Sequence, residues 1–492
     1  MLAVELNRTN FEYDVHSIVK AFYPEEQVHV ITPEMSEEKK AGLRDAVRFK
    51  VELREDGGTL WIEGEKRDWK QAGEGEKEYK YAFKCFLYRV LSQVTGRCLP
   101  WGSLTGIRPT KIAYGLLEQG RSVPEIVAYY MEKYDVSKEK AELAVDIAGR
   151  ERALLAGISH GNEGGQQGGD VPGYSLYIGI PFCPTTCLYC SFTSFPIGAY
   201  RRQADAYLDC LIQEISYVAK LYADRILDTV YIGGGTPTTL EPEQLERLLR
   251  NLREKFDFSQ VKEFTVEAGR ADSITADKLQ VFKKYGVGRI SVNPQTMNQK
   301  TLDYIGRKAS VEDVRRAYEL ARAMGFDNIN MDLILGLPGE AEGEVRHTME
   351  SVVEMAPDSL TVHSLAVKRG SRLNQRILED GIADLGRNTE EIMEIAAAGA
   401  RELGLVPYYL YRQKNMAGNF ENVGYAREGK LGLYNILIME EVQTIVACGA
   451  GSVSKRVYPD GLIKRSENVK DVSQYIERIG EMIERKRVLL ED

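Results

Sequence analysis

Apolar runs of strand length alternate with amphipathic helical patterns between residues 174 and 385 of this 492-residue chain. Apolar runs that alternate with helices in this way indicate buried strands of a parallel sheet. Six β/α units of this kind predict an α/β fold with a partial (βα)6 barrel, whose chemistry lies at the C-terminal ends of its strands. The predicted strands are Ser175–Ile180, Thr229–Ile232, Glu263–Glu267, Arg289–Val292, Ile329–Ile334 and Ser359–Val362. The predicted helices are Tyr200–Ala223, Glu243–Lys255, Thr275–Tyr285, Val311–Met324 and Glu342–Glu354.

The regions on either side of the barrel have different patterns. Residues 1–156 mix short alternating runs with helical segments, which predicts an N-terminal α+β domain, to which the sequence assigns no role. Residues 157–173 hold many glycines and no aromatic side chain, which is typical of a flexible linker. Residues 386–492 show mainly helical patterns, at Thr389–Leu403, in part from Gln443 onward, and at Asp471–Arg487, and we expect them to form a lid beside the barrel.

Three cysteines follow the first barrel strand. Cys183, Cys187 and Cys190 have the spacing C-x3-C-x2-C, and Pro181 ends the strand just before them. Thiolates so close in sequence are poorly placed for disulfides with one another but well placed to bind one iron–sulfur cluster. Three ligands hold three irons of a cubane and leave the fourth iron open to a group that is not protein.

A zinc half-site or a redox pair is the alternative to a cluster. A zinc site needs a fourth ligand nearby, but Cys210 falls in a helical pattern and no histidine lies between His160 and His347. A redox pair leaves the third cysteine unexplained. The cluster is the favoured interpretation, and the zinc site stays open.

Composition limits the environment and partners of the chain. A net charge of −9 does not indicate binding to nucleic acid or to an anionic membrane. No basic and apolar leader opens the chain, and no uncharged apolar run approaches the ~20 residues of a membrane helix. With seven cysteines, the chain is expected in a reducing, cytoplasmic compartment as a monomer, and an exposed cluster would favour low oxygen.

Polar residues follow successive strands. The turn Gly233-Gly234-Gly235-Thr236 allows a small ligand to approach the backbone. Glu267 is placed to accept hydrogen bonds from a ribose or to hold an ammonium group. Gln295 follows the fourth strand, with a side-chain amide at the same depth, and Asp332 lies at the end of the fifth. Arg307 suits the carboxylate of an amino acid. A capping or surface role is the alternative for each residue alone.

Two basic stretches outside these motifs have two interpretations each. The loop Trp101–Lys111 enters a helix, where it either binds a carboxylate or phosphate or forms an ordinary connection, which we favour. The run Pro407–Lys414 either stacks against a tetrapyrrole and pairs its propionates, or is a strand on the barrel with solvated Arg412 and Lys414.

The order of the motifs resembles the radical SAM (S-adenosylmethionine) superfamily and, within it, the oxygen-independent coproporphyrinogen III oxidase family, whose barrel is a TIM-like (βα)6 partial barrel. The similar stretches are Tyr-Ile-Gly-Ile-Pro-Phe-Cys183, Gly-Gly-Gly-Thr-Pro-Thr238, Val-Glu267-Ala, Pro-Gln-Thr-Met-Asn298, Gly-Arg307 and Met-Asp332-Leu-Ile-Leu-Gly-Leu-Pro338. The long N-terminal region, with Leu104–Lys111 and Tyr409–Gly418, is similar to the HemZ-type branch.

The resemblance implies a 4Fe–4S cluster on Cys183, Cys187 and Cys190, and one or two molecules of SAM. By position, the implied contacts to the first SAM are Tyr177, Tyr189, Gly234, Gly235, Thr236, Glu267, Gln295, Arg307, Asp332 and Ala366. A second SAM would contact Val453, after the turn Cys448-Gly-Ala-Gly-Ser. The implied reaction uses a 5′-deoxyadenosyl radical to convert two propionates of coproporphyrinogen III to vinyl groups, with an electron donor such as flavodoxin or ferredoxin.

Two departures from the family pattern affect the expected activity. The oxidase type has another cysteine two residues after the third ligand, and Phe192 stands there. Haem-chaperone relatives also carry an aromatic residue there, but they have a His-Asn pair where this chain has Leu433–Met439. A haem chaperone needs an axial iron ligand, so the missing histidine weakens that alternative more. A radical SAM enzyme with another substrate and a zinc-binding interaction protein are further alternatives.

Overall fold

The computed structural model describes residues 1–71, 75–158, 173–368, 370–380, 388–413 and 419–491. The chain forms two compact units. The first contains Met1–Gly149, Ser364–Ala366 and Leu410–Asn422, and the second contains Arg150–His363, Val367–Tyr409 and Val423–Asp492. Most of the predicted linker, residues 157–173, lies outside the described residues.

A five-stranded sheet and its helices form the first unit. Its strands are β1 (Leu2–Leu6), β2 (Val28–Ile31), β3 (Val47–Leu53), β4 (Gly57–Ile62) and β5 (Glu65–Lys70), in the order β2-β1-β3-β4-β5. The helices that begin in this unit are α1 (Glu12–Phe22), α2 (Glu37–Ala41), α3 (Glu76–Thr95), α4 (Thr110–Glu118), α5 (Val123–Tyr134) and α6 (Lys138–Ala156). Strand β1 pairs in parallel with β2 and β3, while β3, β4 and β5 are antiparallel. The predicted α+β character is confirmed.

Strand β5 is absent from the sequence prediction because five of its six residues are charged and only Trp69 is buried. It forms because its backbone pairs with β4, as edge strands with polar side chains do. Trp69 then packs against the aromatic side chains of α3, at ring distances of 5.0 Å from Tyr79 and 5.9 Å from Phe83.

The start of α4, which belongs to the basic loop Trp101–Lys111, is satisfied from within the first unit. The Tyr130 hydroxyl donates to the carbonyl oxygen of Pro109 at 2.6 Å and accepts from the Ala113 amide at 3.0 Å. Because α5 thus supplies the partner of a first-turn amide, the contacts favour the interpretation of this loop as an ordinary connection.

The later segment of the first unit is held to it by buried polar contacts. Glu421, only 1 % exposed, accepts from the Trp101 indole at 2.7 Å and from the Lys140 ammonium at 2.5 Å. Arg412 donates to the carbonyl oxygen of Leu104 at 2.6 Å. The two stretches that resemble the HemZ-type branch therefore meet, although residues 414–418 of the second lie outside the described part.

An eleven-stranded sheet runs through the second unit. Its central strands are β6 (Tyr174–Ile180), β9 (Leu227–Gly234), β10 (Glu263–Gly269), β11 (Arg289–Val292), β12 (Ile329–Leu335) and β13 (Ser359–Ser364), and a small pair, β7 (Phe182–Cys183) and β8 (Phe195–Pro196), follows β6. The helices after these strands are α7 (Ile197–Tyr200), α8 (Ala204–Leu221), α9 (Pro242–Lys255), α10 (Ala276–Lys284), α11 (Gln299–Tyr304), α12 (Val311–Ala323) and α13 (Glu342–Met355). Each central strand lies next to its successor in the chain, which confirms the six predicted β/α units.

The region after β13 contains helices at two of the predicted segments, Thr389–Leu403 and Asp471–Arg487, and also five strands. Its elements are α14 (Arg372–Asp380), α15 (Glu390–Glu402), β14 (Val406–Tyr411), β15 (Asn422–Ala426), α16 (Leu433–Glu440), β16 (Thr444–Cys448), β17 (Val453–Val457), β18 (Ile463–Glu467), α17 (Val472–Glu477) and α18 (Ile479–Glu491). Strands β14 and β15 extend the sheet beyond β13, and β16, β17 and β18 extend it beyond β6. In the described part of the chain, no helix is both long enough and apolar enough to span a bilayer.

The prediction of helix from Gln443 onward is wrong, since Thr444–Cys448 forms β16. This strand pairs in parallel with β6, in a register that places Thr444 opposite Tyr174 and Cys448 opposite Ile178. The run Thr-Ile-Val-Ala-Cys is almost wholly buried, and the pairing with β6 satisfies its backbone groups inside the sheet.

Candidate functional site

The three cysteines lie at the C-terminal end of β6. Cys183 ends the short strand β7, and Cys187 and Cys190 lie in the loop between β7 and β8. The Phe195 amide closes this loop by donating to the carbonyl oxygen of Pro181 at 2.8 Å, and the Cys190 amide donates to the carbonyl oxygen of Cys187 at 3.1 Å. The loop is therefore a defined turn that carries all three sulfur atoms.

Each sulfur has a polar neighbour. The Cys183 Sγ lies 3.4 Å from the Thr236 hydroxyl, and the Cys190 Sγ lies 3.6 Å from the Ser194 hydroxyl. The Cys187 Sγ accepts a hydrogen bond from Arg270 Nη1 at 3.7 Å. Hydrogen-bond donors at the sulfurs suit thiolate ligands of a cluster.

Two guanidinium groups act on Cys187, which is 8 % exposed. Burial by itself raises the pKa of this thiol, but the nearby charges of Arg307 and Arg270 outweigh burial and lower the pKa below its ordinary value. At Cys183, where burial dominates, the pKa is raised to about 11. Of the three thiols, Cys187 is the one whose pKa the surrounding charges lower.

The donor set fits a cubane cluster. The three thiols interact electrostatically with one another, and all three lie in one short loop. Within the described ranges, no three His, Cys, Asp or Glu side chains lie close enough together to hold a single metal ion. The sulfurs that ligate a cubane bind three different irons and need not converge on one point. Cys183, Cys187 and Cys190 would hold the cluster.

A glycine turn faces this loop from the end of β9. Gly234 has a φ of +110°, a conformation that side chains with a Cβ rarely adopt. The Gly235 amide donates to the carbonyl oxygen of Ile180 at 2.7 Å, and a Cβ on Gly235 would lie 2.5 Å from the carbonyl oxygen of Phe182. Glycine is required there because the two backbones touch, which places Thr236 beside Cys183.

Glu267 lies next along the sheet, on β10. Its carboxylate accepts a hydrogen bond from the Tyr231 hydroxyl at 2.5 Å. Burial raises the pKa of Glu267 to about 7; the Tyr231 hydrogen bond opposes this rise, and the Asp332 carboxylate adds to it. A carboxylate with this pKa is half-ionised near neutrality and is prepared to accept a ligand donor.

Stacked tyrosine rings line the space behind Glu267. Tyr177 on β6 and Tyr231 on β9 are partners in the strand register, with ring centroids 6.2 Å apart. Tyr434 from α16 stacks on Tyr231 at 4.4 Å and also lies 6.2 Å from Tyr177. Helix α16 therefore fills part of the barrel interior and supports the side of the site where Glu267 lies.

Arg307 closes the opposite side. Its guanidinium donates to the Tyr189 hydroxyl at 3.4 Å and to the carbonyl oxygen of Asn293. The Arg307 Nε and the Asn293 Oδ1 are buried without a hydrogen-bond partner within the described chain. Buried polar atoms rarely lack partners in native proteins, so these two fit a site for a polar ligand such as SAM.

Gln295 follows β11 and bridges to β12. Its φ of +69° is uncommon for a residue with a Cβ. The Gln295 amide donates to the carbonyl oxygen of Asp332 at 2.9 Å, and the Ile334 amide donates to the carbonyl oxygen of Gln295 at 2.9 Å. The Asp332 carboxylate accepts from Asn330 at 2.7 Å. These contacts hold Gln295 and Asp332 side by side.

The structure brings together most of the predicted site residues: Tyr177, Cys183, Cys187, Tyr189, Cys190, Gly234, Gly235, Thr236, Glu267, Gln295, Arg307 and Asp332. Ala366 follows β13 and belongs to the first compact unit. Val453 opens β17, opposite Glu467, and its contact with a second SAM stays a prediction.

Sequence reasoning missed Arg270, Asn293, Tyr231 and Tyr434. Arg270 lies three residues after Glu267, and its positive charge so close to a predicted site residue at a strand end could have identified it. Tyr231 shares a strand face with Gly233, which the alternation along β9 shows. No local pattern points to Tyr434, because it reaches the site from a helix distant in sequence.

Comparison with known proteins gives the family. A model of the Radical SAM superfamily matches residues 177–352. The oxygen-independent coproporphyrinogen-III oxidase-like protein HemZ of Bacillus subtilis is 40 % identical over 423 residues, covering 85 % of this chain and 82 % of that protein. This chain belongs to the oxygen-independent coproporphyrinogen III oxidase family, in its HemZ-type branch. Membership in the radical SAM superfamily implies a 4Fe–4S cluster and SAM.

Other members of the family carry two different activities in their names. The haem chaperone HemW of Bacillus subtilis is 32 % identical over 313 residues, covering 62 % of this chain and 76 % of that protein. The solved structure of the coproporphyrinogen III oxidase HemN of Escherichia coli, described as a radical SAM enzyme, matches with a TM-score of 0.51 and 26 % identity. The match covers 68 % of this chain and 73 % of that one. The radical SAM fold of the family is thereby shown.

Proposed function

We propose that this protein is an oxygen-independent coproporphyrinogen III dehydrogenase of haem biosynthesis. The observation that carries the proposal is the 40 % identity with the oxidase-like HemZ protein over 85 % of the chain, together with a cysteine loop beside a glycine turn and a buried carboxylate. When bound, the cluster and SAM supply a 5′-deoxyadenosyl radical. The radical takes a hydrogen atom from the β-carbon of a propionate and becomes 5′-deoxyadenosine. The substrate then loses carbon dioxide and passes one electron to an external one-electron acceptor, which leaves a vinyl group.

Some of the site residues hold the cluster, and others bind and orient SAM. Cys183, Cys187 and Cys190 hold the cluster, and Arg307 receives the carboxylate of the SAM methionine. Glu267 accepts hydrogen bonds from the nucleoside. Glu267 is buried, which raises its pKa, and the protein around the cofactors serves to orient them.

Phe192 is the candidate for contact with the substrate. Phe192, two residues after Cys190, is 77 % exposed, and an exposed ring on the cysteine loop suits stacking against a tetrapyrrole. A second SAM at Val453 and an electron donor such as flavodoxin or ferredoxin belong to the same proposal.

A haem chaperone is the second candidate function. It is favoured by the 32 % identity with HemW and by the aromatic residue at position 192. No histidine follows His363 in the sequence, so an axial haem ligand cannot come from the stretch where haem-chaperone relatives carry their His-Asn pair.

An anaerobic assay separates these candidates. Reconstituted protein with SAM, a reductant and coproporphyrinogen III should form 5′-deoxyadenosine and protoporphyrinogen IX together. Deoxyadenosine without conversion would indicate another substrate, and stable haem binding without conversion would support the chaperone. Cys183→Ala should abolish both products, while Cys98→Ala, which changes an exposed cysteine outside the loop, should leave both unchanged.

A further inference from the structure

Arg270 lies beside the cysteine loop and belongs to none of the residue sets implied by the family resemblance. It follows β10 directly and is 3 % exposed. Its Nη1 donates to the Cys187 Sγ at 3.7 Å. The other two nitrogens, Nε and Nη2, donate to the two carboxylate oxygens of Asp272 at 2.9 and 2.7 Å. The guanidinium thus bridges one cluster ligand and one carboxylate.

Arg270 also fixes the backbone between the first two ligands. Its Nη1 donates to the Thr185 hydroxyl at 3.0 Å and lies 3.4 Å from the carbonyl oxygen of Thr185. The Thr185 hydroxyl in turn donates to the carbonyl oxygen of Gly306 at 2.9 Å. A single buried side chain therefore contacts both the loop and the sulfur of its central cysteine.

The charge of Arg270 bears on electron transfer. A cluster gains one negative charge when it is reduced, so a nearby cation stabilises the reduced form and raises the reduction potential. Hydrogen bonds to ligand sulfurs act in the same direction. The Asp272 side chain is 20 % exposed and that of Arg270 only 4 %, so water screens the carboxylate more than the guanidinium. The net effect at Cys187 is that of a positive charge.

We propose that Arg270 is a positioning residue that raises the reduction potential of the cluster through Cys187 and holds the Cys183–Cys187 loop in its ligating shape. This inference rests on the cluster assigned in the proposed function, but it does not depend on the substrate. Arg307 also acts on Cys187, and it is left unchanged in the variants that test Arg270.

Two substitutions with opposite charge effects test the proposal. Arg270→Gln removes the positive charge and keeps an N–H donor, whereas Asp272→Asn removes the negative charge and leaves Arg270 in place. The midpoint potential of the reconstituted cluster is measured by EPR-monitored redox titration without SAM or substrate. The Arg270→Gln potential should be more negative than the wild-type potential, and the Asp272→Asn potential should be more positive.

Shifts of the same sign in both variants would overturn the proposal, because loosening of the loop alone would give that result. An unchanged potential in Arg270→Gln would overturn it as well. If Arg270→Gln retains no iron, the sign of the Asp272→Asn shift decides alone, since only a positive shift agrees with the charge effect. A wild-type protein that titrates normally but converts no coproporphyrinogen would refute the substrate and leave this inference standing.

Discussion

A buried ion pair in the second unit offers a sharp test of its packing. Lys486 on α18 and Glu214 on α8 are 2.5 Å apart, and their side chains are 1 % and 0 % exposed. Glu214 also accepts hydrogen bonds from the Gly449 amide at 2.8 Å, the Tyr475 hydroxyl at 2.5 Å and the Asn468 amide group at 2.7 Å. The pair joins the last helix to the barrel and to the turn after β16.

Substitution of Lys486 by Met removes the ammonium group and leaves the Glu214 carboxylate buried without a counter-charge. Loss of one partner of a buried pair costs about 3–5 kcal/mol. Three hydrogen-bond donors to the carboxylate remain, so we expect a cost near the lower end, about 3 kcal/mol. The double variant Glu214→Gln/Lys486→Met carries no buried charge and should recover about 1 kcal/mol or more of this loss.

Hydrogen exchange at the Gly449 amide measures this effect directly, because that amide donates to Glu214. At about 1.4 kcal/mol for each tenfold change, Lys486→Met should speed exchange roughly 100-fold, and the double variant should exchange more slowly than the single one. The matched control is Arg487→Met on the same helix, which should change exchange little because its partners Glu484 and Glu491 are 56 % and 40 % exposed. Exchange in Lys486→Met that equals the control, or a double variant faster than the single one, would refute the reasoning.

Two further predictions concern the site. The folded-state pKa of Glu267 is about 7, above its ordinary 4.5, so ionisation opposes folding, and stability contributed by the neutral carboxyl is lost as the pH rises from 4.5 to about 7. As the pH rises over that range, the melting temperature of ligand-free Glu267→Gln should therefore increase relative to that of the wild type. A difference between the two melting temperatures that does not change with pH would contradict the assigned pKa. Gly235→Ala places a Cβ 2.5 Å from the carbonyl oxygen of Phe182 and should lower the free energy of unfolding by about 1–3 kcal/mol. Because the turn must shift to relieve this contact, SAM binding measured by calorimetry should also be weaker. The control Gly343→Ala meets nothing within 4 Å and should bind SAM normally, and equal binding by both variants would show that the close approach at Gly235 does not matter.

The barrel was predictable because its central strands are short and rich in apolar residues, alternate with amphipathic helices, and pair with their neighbours in sequence. Strand β16 was not, since its apolar residues follow directly on α16 and its partner β6 lies about 270 residues earlier. Local periodicity carries no signal for such a distant pairing. Strand β5 was missed although its partner β4 is its neighbour in sequence, because its side chains are mostly charged and give no apolar signal.

The candidate site also has residues that the sequence predicts and residues that it does not. The cysteines and the glycine turn have a fixed spacing that the chemistry requires, so the sequence was enough to predict them. Arg270 and Tyr434 act through contacts that arise only when a strand end meets a loop or a helix enters the barrel. Their residue types are unremarkable in sequence, and the structure is needed to reveal what they touch.

The central claim is that three cysteines hold a cubane whose fourth iron is open to SAM. EPR spectroscopy of the anaerobically reconstituted and reduced protein, recorded before and after addition of SAM and paired with metal analysis, tests it most directly. The account predicts iron and sulfide, a reduced 4Fe–4S signal that SAM changes, and no such signal in Cys183→Ala. Zinc in place of iron, or a cluster signal that SAM leaves unaltered, would contradict the claim.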